Sequence, residues 1–355
     1  MMKKKVAVLF GGCSTEYSVS LQSAYALISH LNKDKYEAIL IGITRQGTWF
    51  RYRGSLEKIK NDTWFTDESC VSAMISPSRE VQGIIEFCDD KVERVHIDVV
   101  FPIIHGKNGE DGTLQGLLEL AGIPFVGCNT LSSALCMDKG LAHLVAQGAG
   151  VKVAPFLVVR KYDDFQQKLK ETEQLKYPLF VKPAKAGSSF GITKIINKDQ
   201  LIDALQLAFT YDDKVVIEEA VEGFEVGCAV LGNGELIMGA LDEIELQKGF
   251  FDYKEKYTLE TSKIHIPARI SSKKTKEMKE TAATLYRALE CRGLARVDMF
   301  LTPKGEIFFN EINTIPGFTS HSRYPSMLSH TGLAFEEIID QLIGLVTEDE
   351  NNRTY

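Results

Sequence analysis

No two cysteines of this chain stand in C-x-x-C spacing; its seven thiols are scattered from Cys13 to Cys291. That dispersal excludes a clustered zinc site and reads as small apolar fillers in a reducing compartment. Positive charge is not in excess: 41 Lys and Arg against 48 Asp and Glu leave a formal net charge of −7. General nucleic-acid binding is disfavoured, and an anionic substrate must be held by local positive groups rather than a global field. No apolar run approaches the roughly 18 residues of a membrane span. Residues 1–5 are basic, but residues 6–10 are too short for a signal core and run into Gly11-Gly12. The expected compartment is the cytoplasm, with neither membrane nor nucleic acid as partner. Neither G-x-G-x-x-G nor the terminal Gly-Lys-Ser/Thr of a P-loop occurs, so two common nucleotide signatures are missing. Repeats and low-complexity tracts are absent, and only the polar tail 348–355 reads as disordered.

What is present is ordinary for a globular protein: 44% hydrophobic and 25% charged residues over 355 positions, enough for two or three domains. Residues 4–10 read as a buried strand, Gly11 to Glu16 as a glycine-rich turn, and 19–31 as a helix with apolar Val19, Leu21, Ala24, Leu27, Ile28 and Leu31. Strand, glycine turn and helix open a doubly wound α/β domain, which binds ligands at the carboxyl ends of its strands. A second strand is expected at 36–43. Residues 45–95 are less orderly and receive no chemistry. Residues 95–104 read as one apolar strand, followed by the loop His105-Gly106-Lys107-Asn108-Gly109-Glu110-Asp111-Gly112, a helix from 114 and a last strand at 123–127.

Residues 132–147 read as one helix containing Met137-Asp138-Lys139. Residues 177–183 form a strand ending on Lys182, and Gly187-Ser188-Ser189 with Gly191 lies in the loop that joins it to the next strand. Such a flap can fold backbone N–H groups and hydroxyls over phosphates, with Lys182 supplying charge. Residues 214–219 read as a hinge strand and 224–246 as sheet strands. The aromatic and charged loop 247–257 has the composition of a closing lid. Helices are expected at 273–290 and 336–345.

Near the C-terminus the spacing predicts a hairpin: strand 294–300, a Pro-to-Gly turn at 302–305, and strand 306–312. A period of two places Phe309, Glu311 and Asn313 on one face, with Asp298 beside them on the partner strand and Arg296 sharing its face. Three oxygen donors on a rigid platform suit a hard cation such as Mg²⁺, which takes its other ligands from water and phosphates.

The run Arg296-x-Asp298 … Glu311-x-Asn313-Thr314-x-Pro316-Gly317-x-Thr319-x-His321-Ser322 resembles the C-terminal signature of the D-alanine–D-alanine ligase family, within the ATP-grasp superfamily. His105-Gly106-x-x-Gly109-Glu110-Asp111-Gly112-Thr113-Leu114-Gln115-Gly116 is similar to its first-domain signature, and Lys182-Pro183 with the Gly-Ser-Ser loop to its lid. The resemblance implies an α/β (α+β) three-domain ligase: an N-terminal doubly wound domain (1–128), a central lid domain (129–222) and a C-terminal domain (223–355). It implies two Mg²⁺ ions, or Mn²⁺, on Asp298, Glu311 and Asn313. ATP would meet Lys139, Lys182, Ser189, Glu218, Ala220, Val221, Glu225 and Lys256. Glu16 would hold the first D-amino acid's ammonium, with His105 near its carboxylate, while Ser188 and Tyr257 link the lid to Glu16. Arg296 and the Gly317 N–H would stabilise the oxyanion. Ser322 and Arg323, helped by Asp242, would face the second substrate.

Two positions depart from the common family pattern. Phe251 stands where Tyr is usual and Arg323 where Leu is usual. Both departures resemble the D-alanine–D-serine ligases of vancomycin resistance, nearest the G type. The substrates implied are D-alanine, D-serine and ATP, and a homodimer is the family expectation. A housekeeping D-alanine–D-alanine ligase stays open. So does a non-catalytic nucleotide-binding regulator, which a lost metal ligand or lid lysine would favour.

Overall fold

A computed structural model describes residues 3–88, 91–246 and 262–352 of the chain. Its N-terminal sheet contains β1 (Lys4–Gly11), β2 (Tyr36–Ile43), β3 (Trp49–Tyr52), β4 (Val71–Ile75), β5 (Gly83–Cys88), β6 (Lys91–His96) and β7 (Val99–Pro102), ordered β6-β5-β4-β3-β2-β1-β7. Val6 to Phe10 are wholly buried, because β1 pairs in parallel with both neighbours and is covered on both faces. The helix Tyr17–His30 sets Leu21, Ala24 and Leu27 against this strand's core. The stretch that looked disorderly continues the sheet as antiparallel strands β3 to β6.

Three sequence expectations change here. Residues 95–104 are not one strand: β6 and β7 separate where the Asp98 carboxylate accepts the Lys5 N–H at 2.6 Å. The strand expected at 123–127 shrinks to a single bridge between Val100 and Phe125. The helix expected at 132–147 is two, Thr130–Met137 and Lys139–Gly148. Asp138 separates them, its side chain accepting the Leu141 N–H as an N-cap.

β8 (Lys152–Val153) joins the third sheet. The small second sheet holds β9 (Phe156–Arg160), β10 (Leu179–Pro183), β11 (Thr193–Ile195) and β12 (Lys214–Glu219) in the order β11-β10-β12-β9. Its core is its own: Leu179, Val181 and Ile217 pack on Leu201 and Leu205 of the helix Leu201–Ala208 and its approach. The segment expected as one central unit, 129–222, is divided in space. Its first two helices pack Cys136, Ala142 and Ala146 with the third sheet.

That third sheet contains β13 (Phe224–Gly232), β14 (Leu236–Leu246), β15 (Ser262–His265), β16 (Leu294–Leu301) and β17 (Ile307–Asn313), ordered β15-β14-β13-β16-β17-β8. One face rests on Met278, Ala282 and Leu285 of the helix Ser272–Ala288. Its far side joins the N-terminal core, where Ala229 and Leu294 meet Tyr324 and Phe335. The closing helix, Phe335–Asn352, runs into the tail expected to be disordered. No described helix is long and apolar enough to cross a membrane.

Candidate active site

Strand register assembles the charged floor of the site. Gly227 of β13 lies opposite Asp242 of β14 on one side and Asp298 of β16 on the other, and Asp298 lies opposite Glu311 of β17. Directly opposed residues share a face, so three carboxylates and one glycine form a row across four strands. The glycine is required. A Cβ there would fall 2.5 Å from Asp242 Oδ1 and 2.6 Å from Arg323 Nη2.

Arg323 lies in the hollow that Gly227 leaves. Its Nε and Nη2 donate to Asp242 at 2.6 and 2.9 Å, Nη1 donates to Glu225 at 2.9 Å, and Nη2 stands 3.4 Å from Asp298. Burial opposes the guanidinium's charge, but Asp242 and Asp298 outweigh it and hold its pKa well above the usual arginine value. Burial likewise opposes the Asp242 carboxylate, yet Arg323 keeps its pKa below the usual range. The cation that the sequence reading places at the acceptor end is therefore neutralised by buried acids, and it forms a rigid polar wall.

Arg296 grips Asp298 with two donors, Nε at 2.8 Å and Nη2 at 2.6 Å, while Asn313 Nδ2 donates to the same carboxylate at 3.0 Å. Arg296, Glu311 and Asn313 line a cavity of about 360 Å³. One sequence expectation fails here. Phe309 does not share the face of Glu311 and Asn313: Met299 pairs with Phe309 and Asp298 with Glu311, so Asn310 is an extra residue in the ladder. This β-bulge shifts the alternation by one, which leaves Phe309 in the core with Ile312 and turns Glu311 to the cavity.

The N-terminal domain holds the loop after β17. Burial keeps the His105 imidazole pKa below its ordinary value, so one ring nitrogen donates and the other accepts. Nδ1 donates to the Ile315 carbonyl at 2.7 Å, and Nε2 accepts from the Ser23 hydroxyl at 3.1 Å. Ser23 in turn accepts the Phe318 N–H at 3.2 Å. Glu110 accepts the N–H groups of Ile315 and Gly106 at 2.9 and 2.7 Å. Burial, followed by the charge of Glu16, pushes the Glu110 carboxyl up to about 8. Three of these bonds, two to Ile315 and one to Phe318, fix the backbone on either side of Gly317, which lines the cavity with Ser322.

From the opposite side comes the β10–β11 loop. Ser188 Oγ donates to Glu16 Oε1, and Lys139 Nζ donates to the Ala186 carbonyl at 2.9 Å. Glycines make this approach possible. A Cβ on Gly187 or Gly106 would stand 2.4 or 2.5 Å from Glu16 Oε2. Ser188 and Ser189 both adopt left-handed backbone, at φ +50° and +61°, an uncommon state for residues with a Cβ.

At the proposed nucleotide end, Lys182 donates to Glu218 in a buried pair, and the Ala220 N–H donates to the Pro178 carbonyl at 2.9 Å. Val221 is half-buried beside it. Glu225, expected at ribose, is engaged by Arg323. The structure thus gathers Glu16, His105, Lys139, Ser188, Arg296 and Gly317 at one cavity, with Glu311, Asn313, Ser322 and Arg323 on its C-terminal wall. Phe251, Lys256 and Tyr257 lie outside the described residues. Sequence reasoning missed the roles of Ser23 and Glu110, whose partners are 295 and 205 residues away. It also missed Lys214, which donates to both oxygens of Asp138 at 2.7 and 2.8 Å.

Known proteins resemble this chain along most of its length. A family profile described as "D-ala D-ala ligase N-terminus" matches residues 5–128, and one described as "D-ala D-ala ligase C-terminus" matches residues 145–344. The vancomycin/teicoplanin A-type resistance protein VanA of Enterococcus faecium is 47% identical over 350 residues, covering 97% of this chain and 99% of the relative. A D-alanine–D-alanine ligase of Caldicellulosiruptor bescii is 44% identical over 358 residues, covering 99% and 98%. Among solved structures, the VanG D-Ala:D-Ser ligase from Enterococcus faecalis superposes with a TM-score of 0.91 at 56% identity, covering 97% of this chain and 100% of that one.

Proposed function

Because the chain belongs to the D-alanine–D-alanine ligase family, and so is a carbon–nitrogen ligase, we propose that it joins D-alanine to D-serine in an ATP- and Mg²⁺-dependent reaction that yields the altered peptidoglycan precursors of vancomycin resistance. The observation that carries this reading is Arg323, held by Asp242 and Glu225 at the cavity's C-terminal wall. A wall of fixed donors and acceptors satisfies a hydroxymethyl group and leaves a methyl group facing unpaired polar atoms, which selects against alanine. The 56% identity to a D-Ala:D-Ser ligase supports the same acceptor.

Mg²⁺ fits the residues present. Asp298, Glu311 and Asn313 offer an all-oxygen set on adjoining rungs, the chemistry a hard cation takes. The Asn313 amide donates its N–H to Asp298, which leaves its oxygen for a cation. Bound there, the metal supplies charge that offsets the phosphate oxygens.

The chain's own groups then act in order. Glu16, fixed by Ser188, holds the ammonium of the first D-alanine. Its carboxylate attacks the γ-phosphorus of ATP, and the bond to the bridging oxygen breaks to release ADP. Lys139, Lys182 and Arg296 lower the charge on the transferred group. The amine of the second amino acid attacks the resulting acyl phosphate, and the C–O bond to phosphate breaks as the peptide bond forms. The Gly317 N–H and Arg296 face the oxyanion, where one donor is worth about 3 kcal/mol. The lid excludes water, which would otherwise hydrolyse the acyl phosphate.

The test is a competition: protein, Mg²⁺-ATP, D-alanine and D-serine at equal concentrations, with dipeptides separated and quantified. D-alanyl-D-serine as the main product supports the acceptor. D-alanyl-D-alanine as the main product overturns it and leaves the ligase chemistry standing.

A further inference from the structure

The bulge at Asn310 is what turns Glu311 to the cavity, and a buried side chain outside the described chemistry holds that bulge. His143 lies on the helix that begins at Lys139, only 2% exposed. Its ring stands edge-on between Phe156 and Phe309, with centroids 5.1 and 5.7 Å away. Nε2 lies 3.0 Å from the Asn310 carbonyl oxygen. A carbonyl only accepts, so Nε2 carries the hydrogen and donates. A bulge leaves its extra residue outside the strand ladder; here the imidazole supplies the missing partner, and a phenylalanine on either side fixes the ring.

We propose that His143 is a positioning residue for the metal-binding carboxylate: by donating to the Asn310 carbonyl it holds the β17 bulge that turns Glu311, and not Phe309, to the cavity. Without that bond the bulge loses the donor that the ring supplies. Removing the extra residue from the ladder would then return β17 to regular alternation, which puts Phe309 on the face of Glu311 and Asn313, so that either the ring leaves the core or both polar side chains leave the face of Asp298. The same helix carries Lys139 at its first position, and Lys139 stands 3.8 Å from Glu311. His143 thus lies one turn along an element whose first residue stands beside the carboxylate. The inference rests on Glu311 as a metal ligand.

The experiment measures how binding of a non-hydrolysable ATP analogue depends on Mg²⁺, by calorimetry, in the wild type and in His143→Phe, His143→Gln and His143→Asn. Phe keeps the aromatic packing and loses the donor. Gln places an amide N–H near the Nε2 position, whereas the Asn amide falls short of it. Expected is an increase of about tenfold in the Mg²⁺ concentration at half-saturation for Phe and Asn, in line with the loss of an outer partner of a metal ligand. The Gln variant should stay within about threefold of the wild type, because its amide restores the bond. Wild-type Mg²⁺ dependence in the Phe variant overturns the proposal. If Phe does not fold, equal Mg²⁺ dependence in Gln and Asn overturns it. Analogue binding by the wild type that ignores Mg²⁺ overturns the metal reading itself, and so is distinguishable from failure of the positioning role.

Discussion

Two hairpins face each other across the cavity, and they are built differently. The β16–β17 hairpin lies within a six-stranded sheet with β13 and β8 on its flanks, and a helix buries its far face. The β10–β11 hairpin ends in a three-residue edge strand. Its loop reaches the rest of the molecule through bonds such as those from Ser188 to Glu16 and from Lys139 to Ala186. The groups proposed to hold the metal are built into a ladder. The groups proposed to admit substrate and then exclude water are held by bonds of a single loop.

Substitutions can break this contrast. The largest effect is expected on the fixed side. Arg323→Met strands Asp242 and Glu225 in the interior, and loss of one partner of a buried ion pair costs about 3–5 kcal/mol. Urea unfolding measures it, and a change below about 1 kcal/mol would mean that the row of carboxylates does not depend on the guanidinium. Next is Glu311→Gln. It should lower kcat roughly a hundred- to a thousandfold, the scale of losing one charge-stabilising group, with the melting temperature kept.

A smaller effect is expected on the β10–β11 side. Ser188→Ala removes a hydrogen bond to a carboxylate, worth about 1.5–3 kcal/mol. kcat/KM should fall, and ADP should be released in excess of dipeptide because a loosened lid admits water. A product ratio that stays at one ADP per dipeptide would show that this bond does not govern closure.

A further test sharpens the contrast through pH. Burial raises Glu110 from an ordinary value of 4.5 to about 8, so between those values the folded protein keeps a proton that the unfolded chain has lost. Stability from this group is full below about 4.5 and declines as pH rises toward about 8. Glu110→Gln cannot titrate, and the wild type should lose stability relative to it across that window. Parallel melting curves for the two proteins would contradict the shift.

These differences also explain what the sequence made legible. Period-two alternation was enough to bring Asp298, Glu311 and Asn313 together, because all three lie on paired strands close in the chain. It failed at Phe309, because a bulge is a mismatch between two strands and neither strand alone encodes it. The Glu16–Ser188 link joins residues 172 apart, and only the family resemblance anticipated it. Periodicity cannot reveal that Arg323 sits on Asp242, 81 residues away, since that contact depends on register across β13 and on the absence of a side chain at Gly227. The clamp of Ser23, His105 and Glu110 on the loop around Gly317 was hidden for the same reason: each bond joins residues far apart in the chain.

Arg323 touches Asp242 at one end of the row and stands 3.4 Å from Asp298 nearer the other. On the proposed reading, choice of acceptor and handling of phosphate are therefore not separable modules in this protein. A mutational route that exchanges one acceptor for another at position 323 also retunes the charge around a proposed metal ligand. It must cross that change in metal handling, or offset it elsewhere in the same row, before a new preference can be expressed.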